Sequence, residues 1–289
     1  MRKETKTTWL FRCLNVAVST PFYYLVRSRG SYVTYVQGLM WCPGVAALVA
    51  AKMTRGSLRE FGWGWGKSPY QLQSYLIPIF YSFAAYLLVW VTGLGGFYDH
   101  AFVQQIAKKY GWGTLPGPIV ISLYVLLFGT IGMLNYVNTA LGEEIGWRGL
   151  LVPELSRLIT FRKTAVISGT LWAVWHFPIL ISSPFDLRLV YELLCFTIMV
   201  VGMSFAMNWL RLRSGSLWTA VFFHASHNLF IQRILTPLTV DKGRTEWFVD
   251  ETGAGLALAG IVMAAIFWNS DPMRSCQPEG SVGVSQHEG

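Results

Sequence analysis

The chain has 289 residues, of which 53% are hydrophobic and 13% charged, with 23 Lys and Arg, 15 Asp and Glu and a net charge of +8. About a quarter of an average soluble domain is charged, so these side chains are too few to coat a soluble fold of this length. The 13 Trp and 18 Phe exclude a disordered chain. Four widely spaced cysteines without a CxxC pair argue against a disulfide scaffold, a zinc ribbon or a redox motif. The class that remains is an integral membrane protein.

A helix needs about 20 predominantly apolar residues to cross the hydrocarbon core. Residues 9–26 are short and contain Arg12, so residues 1–30 are expected either to cross or to lie in the interface as an amphipathic helix. Runs free of Lys, Arg, Asp and Glu follow at 31–51, 68–98, 110–142, 164–185, 214–232 and 252–270, and 189–210 is broken only by Glu192. The helical parts of the second and third runs are expected at 71–93 and from 118. The fold expected is therefore all-α, a polytopic membrane bundle of about eight transmembrane helices, with its main domain at 31–270. The tail at 271–289 is polar, rich in Gly and Ser, and expected to be disordered.

Eight spans put both termini on one side. Basic residues are more numerous in the segments that an inward N-terminus places inside, among them Arg2, Lys52, Arg59, Arg157, Arg162 and Arg211. The bias predicts N-in, C-in, in the plasma membrane of a prokaryote or the endoplasmic reticulum of a eukaryote. The positive charge is thus read as loop charge facing a lipid bilayer, and no nucleic-acid partner is expected. No internal repeat of the kind that marks many transporters is visible.

Ionisable residues inside spans are costly and point to function. Three clusters qualify: Glu143, Glu144 and Arg148 where the third run ends; Trp172 and His176 in the fourth; His224, His227 and Asn228 in the 214–232 run. Glu144 and Arg148 are i,i+4 neighbours and are expected to pair, while Glu143, rotated by about 100°, stays free for chemistry. His224 and Asn228 share a face, as do Trp172 and His176. Gly142 and Gly146 form a small-xxx-small pair that lets a neighbouring helix approach. Taken singly, each cluster has an ordinary structural reading: a helix-end salt bridge, an interhelical hydrogen bond at His176, a packing role for His227. Asn135, Asn138 and Asn208 are read as interhelical glue. Together, a carboxylate pair, a mid-span His and an HxxxN amount to an acid/base and polar-donor set on three helices.

The ordered motifs EExxxR (Glu143, Glu144, Arg148), WxxxH (Trp172, His176) and HxxxN (His224, Asn228), with Gly215-Ser216-Leu217-Trp218 before the last, resemble the CPBP family of intramembrane proteases, the CAAX-protease and bacteriocin-processing (ABI) family. The family usually has Phe where this chain has Trp172. The resemblance covers about residues 40–228. It implies an intramembrane endopeptidase acting on a membrane protein or lipidated peptide, with prenylated CAAX-type substrates as one option. By the same resemblance Glu143 and His176 activate water, His224 and Asn228 stabilise the oxyanion, and Glu144, Arg148, Trp172 and His227 support them. No cofactor is required in this reading; zinc held by Glu143, His176 and His224 is the alternative. A non-proteolytic immunity or scaffold protein of the same fold is the competing function, and a proton-coupled transporter a third.

Overall fold

The computed structural model describes residues 3–29, 32–181, 185–270 and 272. Apart from Pro272, the tail expected to be disordered lies outside the described residues. The fold is an all-α membrane bundle. Its helices are α1 (Lys3–Arg29), α2 (Tyr32–Arg55), α3 (Ser68–Val91), α4 (His100–Tyr110), α5 (Gly117–Leu127) and α6 (Met133–Glu144). There follow α7 (Val152–Ser156), α8 (Phe161–Leu180), α9 (Leu187–Ser214), α10 (Leu217–Asn228), α11 (Thr236–Leu238) and α12 (Ala254–Phe267). Two short strands, β1 (Gly96–Phe97) and β2 (Thr239–Val240), pair antiparallel and tie two loops together.

Local chemistry sets several of the ends. Asp99 caps α4 by accepting from the Phe102 amide, Asp186 caps α9 through the Leu189 amide, and Ser216 caps α10 through the Trp218 amide. Gly215 closes α9 at φ 71°, a left-handed conformation that glycine adopts without a Cβ penalty.

Four helical stretches among the described residues are long and apolar enough to cross a membrane: Val33–Arg55, Ser68–Val91, Gly117–Ser156 and Leu187–Ser214. The other four expected spans are also helical. Of these, α1 carries several charges, α8 opens on Arg162 and Lys163, α10 reaches only 12 residues before its geometry changes, and α12 has 14. The expected figure of eight thus describes helical segments, half of which meet the length and apolarity of a full span. Large apolar side chains such as Phe80, Val91, Leu126, Leu134 and Ile266 are exposed, as suits surfaces solvated by lipid tails.

One element departs from expectation. The third apolar run does not end at Gly142: the chain stays helical from Gly117 to Ser156, through π-turns at Phe128–Gly132 and Ile145–Leu151. The charges expected to terminate it are neutralised internally, since Glu144 and Arg148 are both fully buried and paired. The amphipathic α4, which follows α3, was not expected.

Helix α6 packs against α2 and α10, α9 lies between α8 and α12, α3 packs on α10, and α1 runs along α2. The small-xxx-small pair explains the first contact. A Cβ on Gly142 would lie 2.8 Å from the Met40 carbonyl oxygen, and one on Gly146 would lie 2.6 Å from Pro43 Cβ. Bare glycines are what let α2 approach at the level of the two glutamates.

Candidate active site

Three helices bring the polar clusters to one place. Glu143 and Glu144 come from the end of α6, Trp172 and His176 from α8, and His224, His227 and Asn228 from α10. Glu143, His176, His224, His227, Asn228 and Trp172 line one cavity of about 360 Å³, a volume ordinary for a ligand site. Apolar side chains including Val36, Met40, Leu180, Phe196 and Met203 supply most of the remaining wall.

Glu144 and Arg148 lie behind the cavity as an anchor. Arg148 Nη1 donates to both Glu144 oxygens at 3.0 and 3.1 Å, Nε donates to Asn208 Oδ1 at 3.2 Å, and Nη2 donates to Ser204 Oγ at 3.0 Å. Asn208 in turn donates to Ser168 Oγ at 2.9 Å. The expected i,i+4 pair therefore forms and is fully enclosed, and every nitrogen of the guanidinium has a partner, the condition under which a buried charge is tolerated. Asn208 is interhelical glue as expected. Asn135 and Asn138 are instead exposed.

Glu143 is 2% exposed and held differently. Trp172 Nε1 donates to its Oε2 at 2.8 Å, a bond that a Phe ring has no means to make. The Trp172 ring also lies 4.2 Å beneath the Arg148 guanidinium and meets the His224 ring edge to face at 5.1 Å between centroids. Trp172 thus joins the anchored carboxylate to the one that faces the cavity.

The two histidines point their Nε2 atoms toward Glu143. His176 Nδ1 donates to the Trp172 carbonyl at 3.0 Å, which leaves its Nε2 facing Glu143 Oε2 at 3.7 Å. His224 Nδ1 donates to Glu144 Oε1 at 3.0 Å, and its Nε2 stands 4.0 Å from Glu143 Oε1. Both separations exceed a direct hydrogen bond. They also exceed the roughly 3.3 Å between neighbouring ligands of a tetrahedral zinc ion with bonds of about 2.0–2.1 Å. Among the described residues no group of three or more His, Cys, Asp or Glu side chains is arranged to hold a metal ion.

Sequence reasoning missed a second cluster on the same cavity. Tyr81 of α3 hydrogen-bonds His227 Nδ1, Glu251 Oε1 lies 3.5 Å from His227 Nε2, and Gln232 Nε2 donates to Glu251 at 2.8 Å. Glu251 sits in the loop before α12 and lines the cavity with His227. Beside it, burial pushes the Asp250 carboxyl up to about 6, with the Glu251 charge adding to the effect. No spacing rule links Tyr81 or Glu251 to the histidine motif, since the three come from distant parts of the chain.

Comparison with known proteins bears on the same residues. Residues 125–230 match a family model described as "Type II CAAX prenyl endopeptidase Rce1-like". A curated relative, CAAX prenyl protease 2 of Methanococcus maripaludis, is 27% identical over 93 residues, which are 30% of this chain and 34% of that protein. The match therefore spans about a third of the relative's length. All three motifs lie inside the residues that fit the family model, and over that stretch the resemblance to CAAX-type membrane proteases read from Glu143, His176, His224 and Asn228 holds.

Proposed function

We propose that the protein is an intramembrane endopeptidase that hydrolyses a peptide bond of a lipid-anchored, prenylated CAAX-type substrate with water activated by Glu143 and His176. The observation that carries this reading is the gap of 3.7 Å between His176 Nε2 and Glu143 Oε2. Polar groups at that separation, inside a cavity, suit a bridging water. Such a water donates one hydrogen to Glu143 and the other to the His176 Nε2 lone pair, and turns its own lone pair toward a carbonyl carbon. On attack Glu143 takes the proton. As the carbon–nitrogen bond breaks, the same proton passes to the leaving amine.

Developing charge on the carbonyl oxygen needs donors already in place. His224, as the imidazolium, donates from both nitrogens, one to Glu144 and one toward the cavity. The Asn228 amide lines the same wall. The apolar remainder of the cavity suits a hydrophobic or lipidated peptide and excludes bulk water. Activation is metal-independent in this account, and both termini lie on the cytoplasmic side.

The test is product analysis by mass spectrometry. Purified protein in lipid should cut a prenylated peptide near its C-terminus, and His176→Ala should not. Uncut peptide with wild-type protein, together with full biological complementation by His176→Ala, would favour the scaffold reading instead.

A further inference from the structure

A second carboxylate faces the candidate active-site cavity. Glu251 lines it together with Glu143, His176 and His227, and no Lys or Arg among the described residues does. Glu144 is anchored behind the wall by Arg148. Glu143 and Glu251 are therefore the two carboxylates on the cavity, and no Arg or Lys among the described residues pairs with either. Water activation occupies Glu143; Glu251 has no part in it.

The fold carries Glu251 inward. Helix α12 has 14 residues, about 21 Å at about 1.5 Å per residue, against a hydrocarbon core of about 30 Å. It starts beside Ala85 of α3, since a Cβ on Gly255 would lie 3.8 Å from Ala85 Cβ. Helix α3 runs on from there to Val91, about 9 Å farther. Irregular backbone at membrane depth is tolerated where it lines a cavity, and an ionisable side chain there points to function. The Asp250 amide donates to Tyr86 Oη at 3.0 Å, and the Glu251 amide donates to Asp250 Oδ1 at 2.8 Å, which fixes the turn. Glu251 Oε1 accepts from Gln232 Nε2 at 2.8 Å and lies 3.5 Å from His227 Nε2, while His227 Nδ1 is bonded to Tyr81. No hydrogen bond to Oε2 is found among the described residues, and 22% of the side chain is open.

We propose that Glu251 receives the α-ammonium of the peptide released by cleavage. The assignment rests on the endopeptidase reading of this cavity. An uncut amide is neutral. Hydrolysis adds the hydroxyl of water to the carbonyl carbon and one proton to the leaving nitrogen as the carbon–nitrogen bond breaks. The new carboxylic acid then loses its proton and the new amine, the stronger base, gains one, so one fragment leaves as a carboxylate and the other as an ammonium. A cation made among apolar side chains is costly unless it is paired. Lasting pairing at Glu143 would block the next water, whereas Glu251 stands outside the bond-breaking step. Its Oε2 is the acceptor left open for one of the three ammonium hydrogens.

Two short apolar peptides of one sequence test this, each with a fluorophore on its last side chain, one with a free N-terminal amine and one with hydrogen in its place. As inhibitors of wild-type protein in lipid, the amine should bind roughly 10- to 100-fold more tightly, the range of a charge-assisted hydrogen bond. Glu251→Gln should bring the ratio of inhibition constants close to one. Gln232→Leu removes the bond to Oε1, leaves the carboxylate, and should keep part of the ratio. Equal inhibition by the two peptides would overturn the proposal, and that comparison needs no variant to fold. So would selectivity that survives in folded Glu251→Gln. The same peptides are titrated by fluorescence anisotropy against Glu143→Gln and Glu143→Gln/Glu251→Gln. Amine selectivity already lost in Glu143→Gln would place the ammonium on Glu143 and also overturn the proposal. Selective, Glu251-dependent binding without any wild-type cleavage would sustain the site and refute the hydrolytic reading. Cleavage without selectivity would refute the site alone, and neither cleavage nor selectivity would refute both.

Discussion

Trp172 donates its indole N–H to Glu143 at 2.8 Å, while its ring lies 4.2 Å beneath the guanidinium that holds Glu144. One side chain thus separates two adjacent carboxylates into two roles, one anchored and one turned to the cavity. Trp172→Phe keeps the ring and removes the bond. The variant is expected to fold and to lose about tenfold in kcat with little change in KM, since a charge-assisted hydrogen bond contributes about 1.5–3 kcal/mol and positions the carboxylate rather than the substrate. Steady-state kinetics on a cleavable peptide read this directly, and an unchanged kcat would remove Trp172 from the account.

The anchor itself is predicted to be costly to break and cheaper to replace. Arg148→Ala leaves Glu144 charged and buried, with an expected loss of about 3–5 kcal/mol. Arg148→Lys should also destabilise, because one ammonium has no fork with which to reach Glu144, Asn208 and Ser204 together. The double variant Glu144→Gln/Arg148→Met should recover part of that loss. Thermal unfolding in detergent ranks the three proteins, and a double variant less stable than Arg148→Ala would contradict the prediction.

Close approach of α2 to α6 depends on bare glycine. Gly146→Val should cost about 1–3 kcal/mol or more, since a Cβ would meet Pro43 backbone and side-chain atoms at 2.6–2.7 Å. The same change at Gly56, where a Cβ would meet nothing within 4 Å, should disturb no packing, though its positive φ adds backbone strain. Activity should fall with Gly146→Val as well, because the shift displaces Glu143, and melting curves with parallel activity assays test both effects.

Outside the membrane segments, Glu60 gives a pH signature. Its hydrogen bond with Arg157 holds the carboxyl below the usual glutamate range against partial burial, and the Arg55 charge adds to it. A lowered folded value means the contribution is present above the ordinary value of about 4.3 and is lost as pH falls through the folded value. The difference in melting temperature between wild type and Glu60→Gln should therefore be small but constant near neutral pH and vanish in acid. A difference that grows on acidification would reverse the sign and refute the assignment.

Much of the site was legible because it follows from helix periodicity and from the expense of charge in apolar spans. The Glu144–Arg148 pair, the free Glu143, the shared face of Trp172 and His176 and the close approach at Gly142 and Gly146 all follow from spacing alone. What stayed hidden is contact between distant segments and local departure from α-helical geometry. The π-turns at Ile145–Leu151 and Leu229–Leu235 have no composition cue and carry the chain past the points where charges suggested an end. Tyr81 and Glu251 join His227 from other elements. The bond from Trp172 to Glu143 is hidden for the same reason, since it forms only where α8 meets α6.

The central claim is that Glu143 activates water for peptide hydrolysis. The most direct measurement compares cleavage of a membrane-embedded peptide by wild type and Glu143→Gln, each with and without chelator, with bound metal quantified and folding checked by thermal unfolding. The account predicts that wild type cleaves in both conditions without stoichiometric metal, and that folded Glu143→Gln cleaves in neither. Equal cleavage by wild type and Glu143→Gln would contradict it.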